Sequence, residues 1–543
     1  MEEPPYHPIE PCNFDLILSN TGFPLSIIAA AASIAGKSVL HLDPSPLYGS
    51  HYSSLPLDSF ISFSQNSNPN PSPYSSPDMP DEEADYRALT VEYRPLFSAF
   101  ELSTHSSDHL GPSRSFNLDL SGPRVYLSRD STVDLLLRSG ANNYLEFKGM
   151  EATFIWYEDG LFMVPESRNA VFRDQKLGFL EKRHLTGFFK LIREGGFDER
   201  EMEGSFVEFL EKKGISPLIK SIILYAIALA DYDQEKPKDH NNLLSTRDGV
   251  ESSSLYLSSV GRFPNAPGAF IYPMYGQGEL PQAFCRCAAV KGAIYVLRMP
   301  VIALLIDKET GHYKGIRVSS GQDLFSHKLV LDPSIAVPPK VFSPTELHNK
   351  EFEGLSLDNA IKTPKLSKYV ARGVFLTRTS QKPGLSTLLV VFPPRSLYPE
   401  QMATVRALQL GSNASVCPNG MFVVYISTPC DDAAKGKEVL RAAMNVLFMI
   451  PDAISSENLT PTSEGVQREG KPVLLWSALY IQEMIEGSSN PVYYCPTPDE
   501  KLDYRGILNS ATKLFHEMYP SEDFFSQAAA MESSVENDIN SLD

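Results

Sequence analysis

Asn20-Thr21-Gly22-Phe23-Pro24-Leu25 lies between an apolar run, Phe14-Asp15-Leu16-Ile17-Leu18, and an Ala/Ile-rich stretch that ends at Gly36. A strand-to-helix turn at such a place binds a dinucleotide when it reads G-x-G-x-x-G. The first glycine makes the turn, the second lets the backbone approach the pyrophosphate, and the third lets helix and strand pack closely. Only the second glycine, Gly22, is present. Asn20 tolerates a positive φ and can hold the turn. Phe23, Pro24 and Leu25 put bulk where phosphate would reach the helix N-terminus, and Pro24 removes a backbone donor. Asp43, about twenty residues on, stands where an acid would meet a ribose; without the glycines it reads more simply as a cap or turn residue before Pro44. The expectation is a dinucleotide-type fold that has lost its cofactor.

Other reactive types form no centre. Cys12, Cys285, Cys287, Cys417, Cys430 and Cys495 contain no CxxC pair with a matching His cluster, so neither a zinc site nor a disulfide framework is expected. Cys285-x-Cys287 reads as two small, semi-apolar helix residues. No catalytic set is assigned. Glu279 and Arg286 are seven apart after Pro281 opens a helix, which puts them nearly on one face about 10 Å apart along the axis. They could meet a partner together. Equally, Glu279 could only complement the helix dipole, with Arg286 a solvated charge.

The elements that hold these residues follow from the apolar pattern. Phe14 to Leu18, the Pro24 to Gly36 helix and Ser38-Val39-Leu40-His41-Leu42-Asp43 give β, α, β, the opening of a doubly wound sheet. Residues 62–110 include SQNSNPNPSPYSSPDMP and Asp81-Glu82-Glu83-Ala84-Asp85, too polar to offset chain entropy, and are expected to be a disordered insertion. From 146 to 250, Val207, Leu210, Ile215, Leu218, Ile222, Tyr225 and Leu229 recur at helical spacing. The stretch from Ser221 to Ala230 is apolar nearly all round, as a central bundle helix is, or a wall that receives a lipid. After Ser252 strands return: Ala269 to Pro273, Ala293 to Leu297, Gly315 to Val318, Lys328 to Leu331, Leu388 to Val391 and Met421 to Tyr425. The expected fold is mixed α/β with two domains. A flavoprotein-like larger domain takes 1–145 and 251–525, an all-helical domain is inserted at 146–250, and 526–543 forms a disordered tail.

The 543 residues carry 66 acidic and 48 basic side chains, a formal charge of -18. That excludes non-specific binding to nucleic acid or anionic membranes and suits a basic partner. The acidic, proline-rich start lacks a secretory signal, no apolar run spans a bilayer, and the final Ile539-Asn540-Ser541-Leu542-Asp543 has no prenylation cysteine. A cytosolic place is expected.

Four segments resemble the Rab GDP-dissociation inhibitor and Rab escort protein superfamily. They are Val39-Leu40-His41-Leu42-Asp43 with Tyr48-Gly49; Asn117-Leu118-Asp119-Leu120 leading to Asn143 to Lys148; Phe179-Leu180-Glu181-Lys182-Arg183; and Tyr275-Gly276-Gln277-Gly278-Glu279-Leu280-Pro281-Gln282. The insertion after Tyr48, Phe284-Cys285-Arg286-Cys287, and the late blocks Leu475 to Tyr480 and Leu514 to Pro520 resemble the escort branch. The resemblance implies a non-catalytic accessory subunit without cofactor or metal. It would bind Rab GTPases, preferably with GDP, present them to the Rab geranylgeranyltransferase heterodimer, and deliver the prenylated product with transient membrane contact. The resemblance maps Rab binding onto Tyr48, Glu279, Arg286, Ile294 and Val296. Ser50 stands where the family has glycine, and Ile294 and Val296 where it has a hydroxyl residue and methionine. Ile222, Ile223 and Ala226 are candidates for a prenyl pocket or transferase docking. A recycling GDP-dissociation inhibitor and an FAD-dependent oxidoreductase are the alternative readings.

Overall fold

The structure is a computed structural model that describes residues 7–66, 84–106, 110–195, 197–337, 366–451, 470–485 and 492–525. The first strand, Asn13–Ser19, pairs in parallel with Val39–Asp43 in the register Leu16 to Val39 and Ser19 to Leu42. The helix Phe23–Ile34 lies between them in sequence, with Pro24 in its first turn. Its apolar surface runs all round, so it must be covered on all sides. The helices Glu279–Val290 and Arg505–Met518 both pack on it.

These strands belong to an eight-stranded sheet. Its order runs Ile294–Leu297, Val39–Asp43, Asn13–Ser19, Asp323–Leu331, Tyr313–Val318, Val301–Asp307 and Tyr86–Thr90, with Tyr493–Tyr494 beside Asp323–Leu331. The first four are parallel, and the remaining path continues antiparallel. Ile294–Leu297 is therefore an edge. A second eight-stranded sheet is built on the long strands Leu366–Thr377 and Leu474–Ile485 and is covered by the helix Ala433–Leu447.

The expected disordered insertion 62–110 is corrected over most of its described part. The helix Leu57–Asn66 runs into it, Tyr86–Thr90 closes one edge of the first sheet, and Phe97–Thr104 closes one edge of the second. Leu89 and Phe97 are buried in the cores beside these sheets, Phe100 stacks on Tyr480 at 5.0 Å, and backbone hydrogen bonds to the neighbouring strands fix the rest. Residues 67–83 and 107–109, and the expected tail 526–543, lie outside the described residues.

The helical boundaries also shift. Residues 147–163 hold the strands Phe147–Gly149, Ala152–Tyr157 and Gly160–Met163, and the last two join the second sheet. Ala152-Thr153-Phe154-Ile155-Trp156-Tyr157 is rich in the β-branched and aromatic residues that favour strands. The helices Arg168–Arg173, Phe179–Glu194, Phe206–Lys212, Pro217–Ser221 and Thr246–Ser259 follow. Ser167, Ser205 and Ser245 cap three of them by accepting from backbone N–H groups.

Candidate protein-binding cleft

At the turn after the first strand, the polar groups that would hold a ribose bond within the protein. The backbone N–H and hydroxyl of Thr21 donate to Asp43 Oδ2 at 2.7 and 2.5 Å, and Ser45 N–H donates to Asp43 Oδ1 at 2.7 Å. Gly49 N–H donates to Thr21 Oγ1 at 2.9 Å, which ties the Tyr48 segment to the same turn. Burial pushes the Asp43 carboxyl up to about 6 against the pull of these bonds. Asn20 takes a φ of 89°, and its carbonyl lies 2.7 Å from His41 Nε2, on a ring that burial pushes down to about 4.

Rings fill the rest of the turn. A Cβ on Gly22 would sit 3.6 Å from Tyr52, and the Phe23 ring meets Tyr52, Phe284 and Tyr504 at centroid distances of 6.1, 5.9 and 5.6 Å. The residues present do not fit a dinucleotide. Among the described residues, no group of three His, Cys, Asp or Glu is placed to hold a metal ion.

Beside this turn a cleft of about 350 Å³ opens along the helix Glu279–Val290, lined by Tyr48, Tyr144, Glu279, Gln282, Arg286 and Tyr295 among others. Three residues singled out in the sequence, Tyr48, Glu279 and Arg286, thus wall one site. Tyr48 meets Tyr295 edge-on at 6.0 Å, and Tyr295 rests on His41 at 5.0 Å. The Arg286 guanidinium lies 4.5 Å from the Tyr144 ring centre. Gln282 Nε2 donates to Glu279 Oε1 at 3.2 Å, while partial burial raises the Glu279 carboxyl. Burial also raises the Tyr48 hydroxyl and pushes the Cys285 thiol up to about 12, so that cysteine is a packed group and not a nucleophile. The cleft offers one acid, one base and three tyrosine rings, the composition of a protein-recognition surface.

Ile294 and Val296 do not line this cleft. Successive strand side chains alternate between faces. Tyr295 takes the cleft side, while Ile294 and Val296 pack half-buried against the core that holds Leu40 and Leu42. Ile222, Ile223 and Ala226 are likewise enclosed. They sit in a π-helical segment, Ile222–Ile227, that is buried in the main core beside the strand Ala152–Tyr157. Sequence reasoning missed Tyr144, Gln282 and Tyr295. Gln282 was legible from its helix face, three residues after Glu279.

The sequence profile described as GDI, GDP dissociation inhibitor, matches residues 82–346. Rab escort protein 1 of Arabidopsis thaliana is 46% identical over 99% of this chain and 98% of that protein. The chain belongs to the Rab escort protein family. Rab proteins geranylgeranyltransferase component A 2 of mouse is 31% identical over 76% of the chain, which spans 61% of that longer relative. The solved Rab GDI of Plasmodium falciparum superposes with a TM-score of 0.66 at 16% identity, covering 94% of this chain and 99% of that one, a likeness of fold. An oxidoreductase from Methanosarcina mazei shares the fold at a TM-score of 0.51 and 12% identity, covering 92% of this chain and 100% of its own. A member of the escort family on a flavoprotein-like scaffold accounts for both likenesses, since the dinucleotide turn is filled by its own side chains.

Proposed function

We propose that this chain binds Rab GTPases through the Tyr48, Glu279 and Arg286 cleft and presents them to Rab geranylgeranyltransferase as its non-catalytic accessory subunit. The observation that carries this reading is the convergence of those three residues, distant in sequence, on one cleft of an escort-family chain. The GDP form is preferred, because its loosely ordered switch loops can mould to such a surface where GTP holds them away. The protein works in the cytosol and touches membranes only to deliver prenylated Rab. Among the described residues no helix is long and apolar enough to cross a membrane.

Docking of the transferase falls to the helical region. Phe179 is 86% exposed and Leu180 55%, both at the start of the helix Phe179–Glu194, and Phe172 is exposed nearby. Large apolar side chains left in water in this way mark a partner surface. Ile222, Ile223 and Ala226 support that region as core.

The test combines purified Rab, the transferase heterodimer and labelled geranylgeranyl diphosphate, and follows lipid incorporation with and without this chain. Incorporation that depends on the chain is expected. Rab binding without any stimulation would instead favour the recycling inhibitor.

A further inference from the structure

Behind the cleft, and not lining it, Asp119 is fully buried at the end of the short strand Leu118–Asp119. Its Oδ1 accepts from Ser54 Oγ at 2.6 Å and from Gln277 N–H at 3.0 Å, and its Oδ2 accepts from the Tyr272 hydroxyl at 2.6 Å. Ser54 Oγ in turn accepts from Gly278 N–H at 2.8 Å. The chain thus closes a buckle. Ser54 follows the Tyr48 segment, and Gln277 and Gly278 are the last residues before the helix that carries Glu279 and Arg286.

The spacing leaves no room for other side chains in the Tyr275-Gly276-Gln277-Gly278 loop. A Cβ on Gly276 would lie 2.4 Å from Ser54 Oγ and 2.9 Å from Asp119 Oδ1, and one on Gly278 would lie 2.7 Å from Ser54 N. Gly276 also needs its φ of 109°. Gly276 is therefore set by the close approach of this loop to the Asp119 carboxyl and the Ser54 hydroxyl, and Gly278 by its approach to the Ser54 backbone.

We propose that Asp119 is a positioning residue for GTPase binding: it locks the Tyr48 segment to the N-terminal end of the Glu279–Val290 helix and so fixes the gap the cleft presents. The proposal rests on the Rab-binding reading of the cleft. A buried carboxyl that accepts from three donors is directional enough for this work, because without it each of those donors would be left unpaired in the interior.

Binding of GDP-loaded, unprenylated Rab is measured by titration for the full chain and for Asp119→Ala, Asp119→Asn and Arg286→Glu, with thermal unfolding recorded in parallel. Asp119→Ala is expected to weaken Rab binding about tenfold while unfolding stays cooperative. Asp119→Asn keeps one oxygen for Ser54 and Gln277 and turns its amide to the Tyr272 oxygen, so it should stay within about threefold of the parent. In an Arg286→Glu background the added loss from Asp119→Ala should shrink to below about twofold, since the group being positioned is gone.

Wild-type affinity in Asp119→Ala, with Arg286→Glu impaired, overturns the proposal. If Arg286→Glu also binds normally, the cleft reading itself fails. Should Asp119→Ala not fold, Ser54→Ala removes one donor to Asp119 and the acceptor of Gly278 N–H; about a threefold loss is expected, and unchanged affinity overturns the proposal.

Discussion

The guanidinium of Arg286 sits 4.5 Å from the centre of the Tyr144 ring, across a cleft whose other wall carries Tyr48. Tyr144 ends a short turn, Ala141–Tyr144, far in sequence from the helix it faces. A cation over a ring at a half-exposed site contributes about 0.5–1 kcal/mol, and its larger effect is to narrow the directions the long arginine can take. Tyr144→Leu is therefore expected to weaken Rab binding about two- to fivefold by calorimetry, with little change in Tm. Arg286→Lys keeps the charge but loses the planar stacking, and should fall in the same range.

Ser50 gives a second prediction. It holds a φ of 47°, directly after Gly49 at 102°. Non-glycine residues pay on the order of 1 kcal/mol in the left-handed region. The contacts Ser50 makes here are through its carbonyl, which accepts from Ser53 N–H and Ser53 Oγ. Ser50→Gly keeps them and should raise stability by up to about 1 kcal/mol in urea unfolding, net of the entropy glycine adds to the unfolded chain. Rab affinity should not change, because the Tyr48 segment stays anchored through Gly49 N–H to Thr21.

Glu166 predicts a pH dependence of stability. Its carboxylate accepts from the Tyr256 hydroxyl and from Ala269 N–H, each at 3.2 Å, and burial pushes it up to about 7 against those bonds. A folded-state value above the unfolded one means that the folded chain holds the proton more tightly. The stabilisation is then complete below the unfolded value of 4.5 and is lost as pH rises through about 7. Glu166→Gln keeps the bond from Ala269 N–H through its oxygen and can turn its amide to the Tyr256 oxygen, without the buried charge. It should remove this loss, making the variant more stable than the parent at pH 8, by on the order of 2–3 kcal/mol, and closer to it at pH 5. Urea midpoints at the two pH values check it.

Much of this was legible because local chemistry forced it. Phe14 to Asp43 could only be strand, buried helix and parallel strand, and the bulk at Phe23 and Pro24 foretold a filled turn. Glu279 and Arg286 shared a helix face by spacing alone. What escaped depended on distant partners. Tyr86–Thr90 and Phe97–Thr104 follow a polar, proline-rich run that read as disordered, and they are held by sheet edges formed from residues hundreds of positions later. Tyr295 was hidden between Ile294 and Val296, although strand alternation puts it on the face opposite to theirs. The apolar Ile222 to Ala226 read as a central bundle helix or, less often, a lipid wall, and which neighbours bury them was set by packing that sequence does not show.

The exposed start of the helix Phe179–Glu194 separates presentation from binding. Phe179 lies in the helical region with Leu180, while the cleft is built from the Tyr48 segment and the Glu279–Val290 helix. Removing an exposed ring frees no core, so Phe179→Ser should leave Tm nearly unchanged. If the ring is an anchor for the transferase, its loss weakens that contact by about 2 kcal/mol or more, the scale of a buried aromatic hot spot, and leaves GDP-Rab binding at the parent value. Lipid incorporation at limiting transferase should then drop at least about tenfold and recover at high transferase concentration. Loss of both activities together would place Phe179 in the fold and not at a docking surface, and retention of both would move the transferase contact elsewhere.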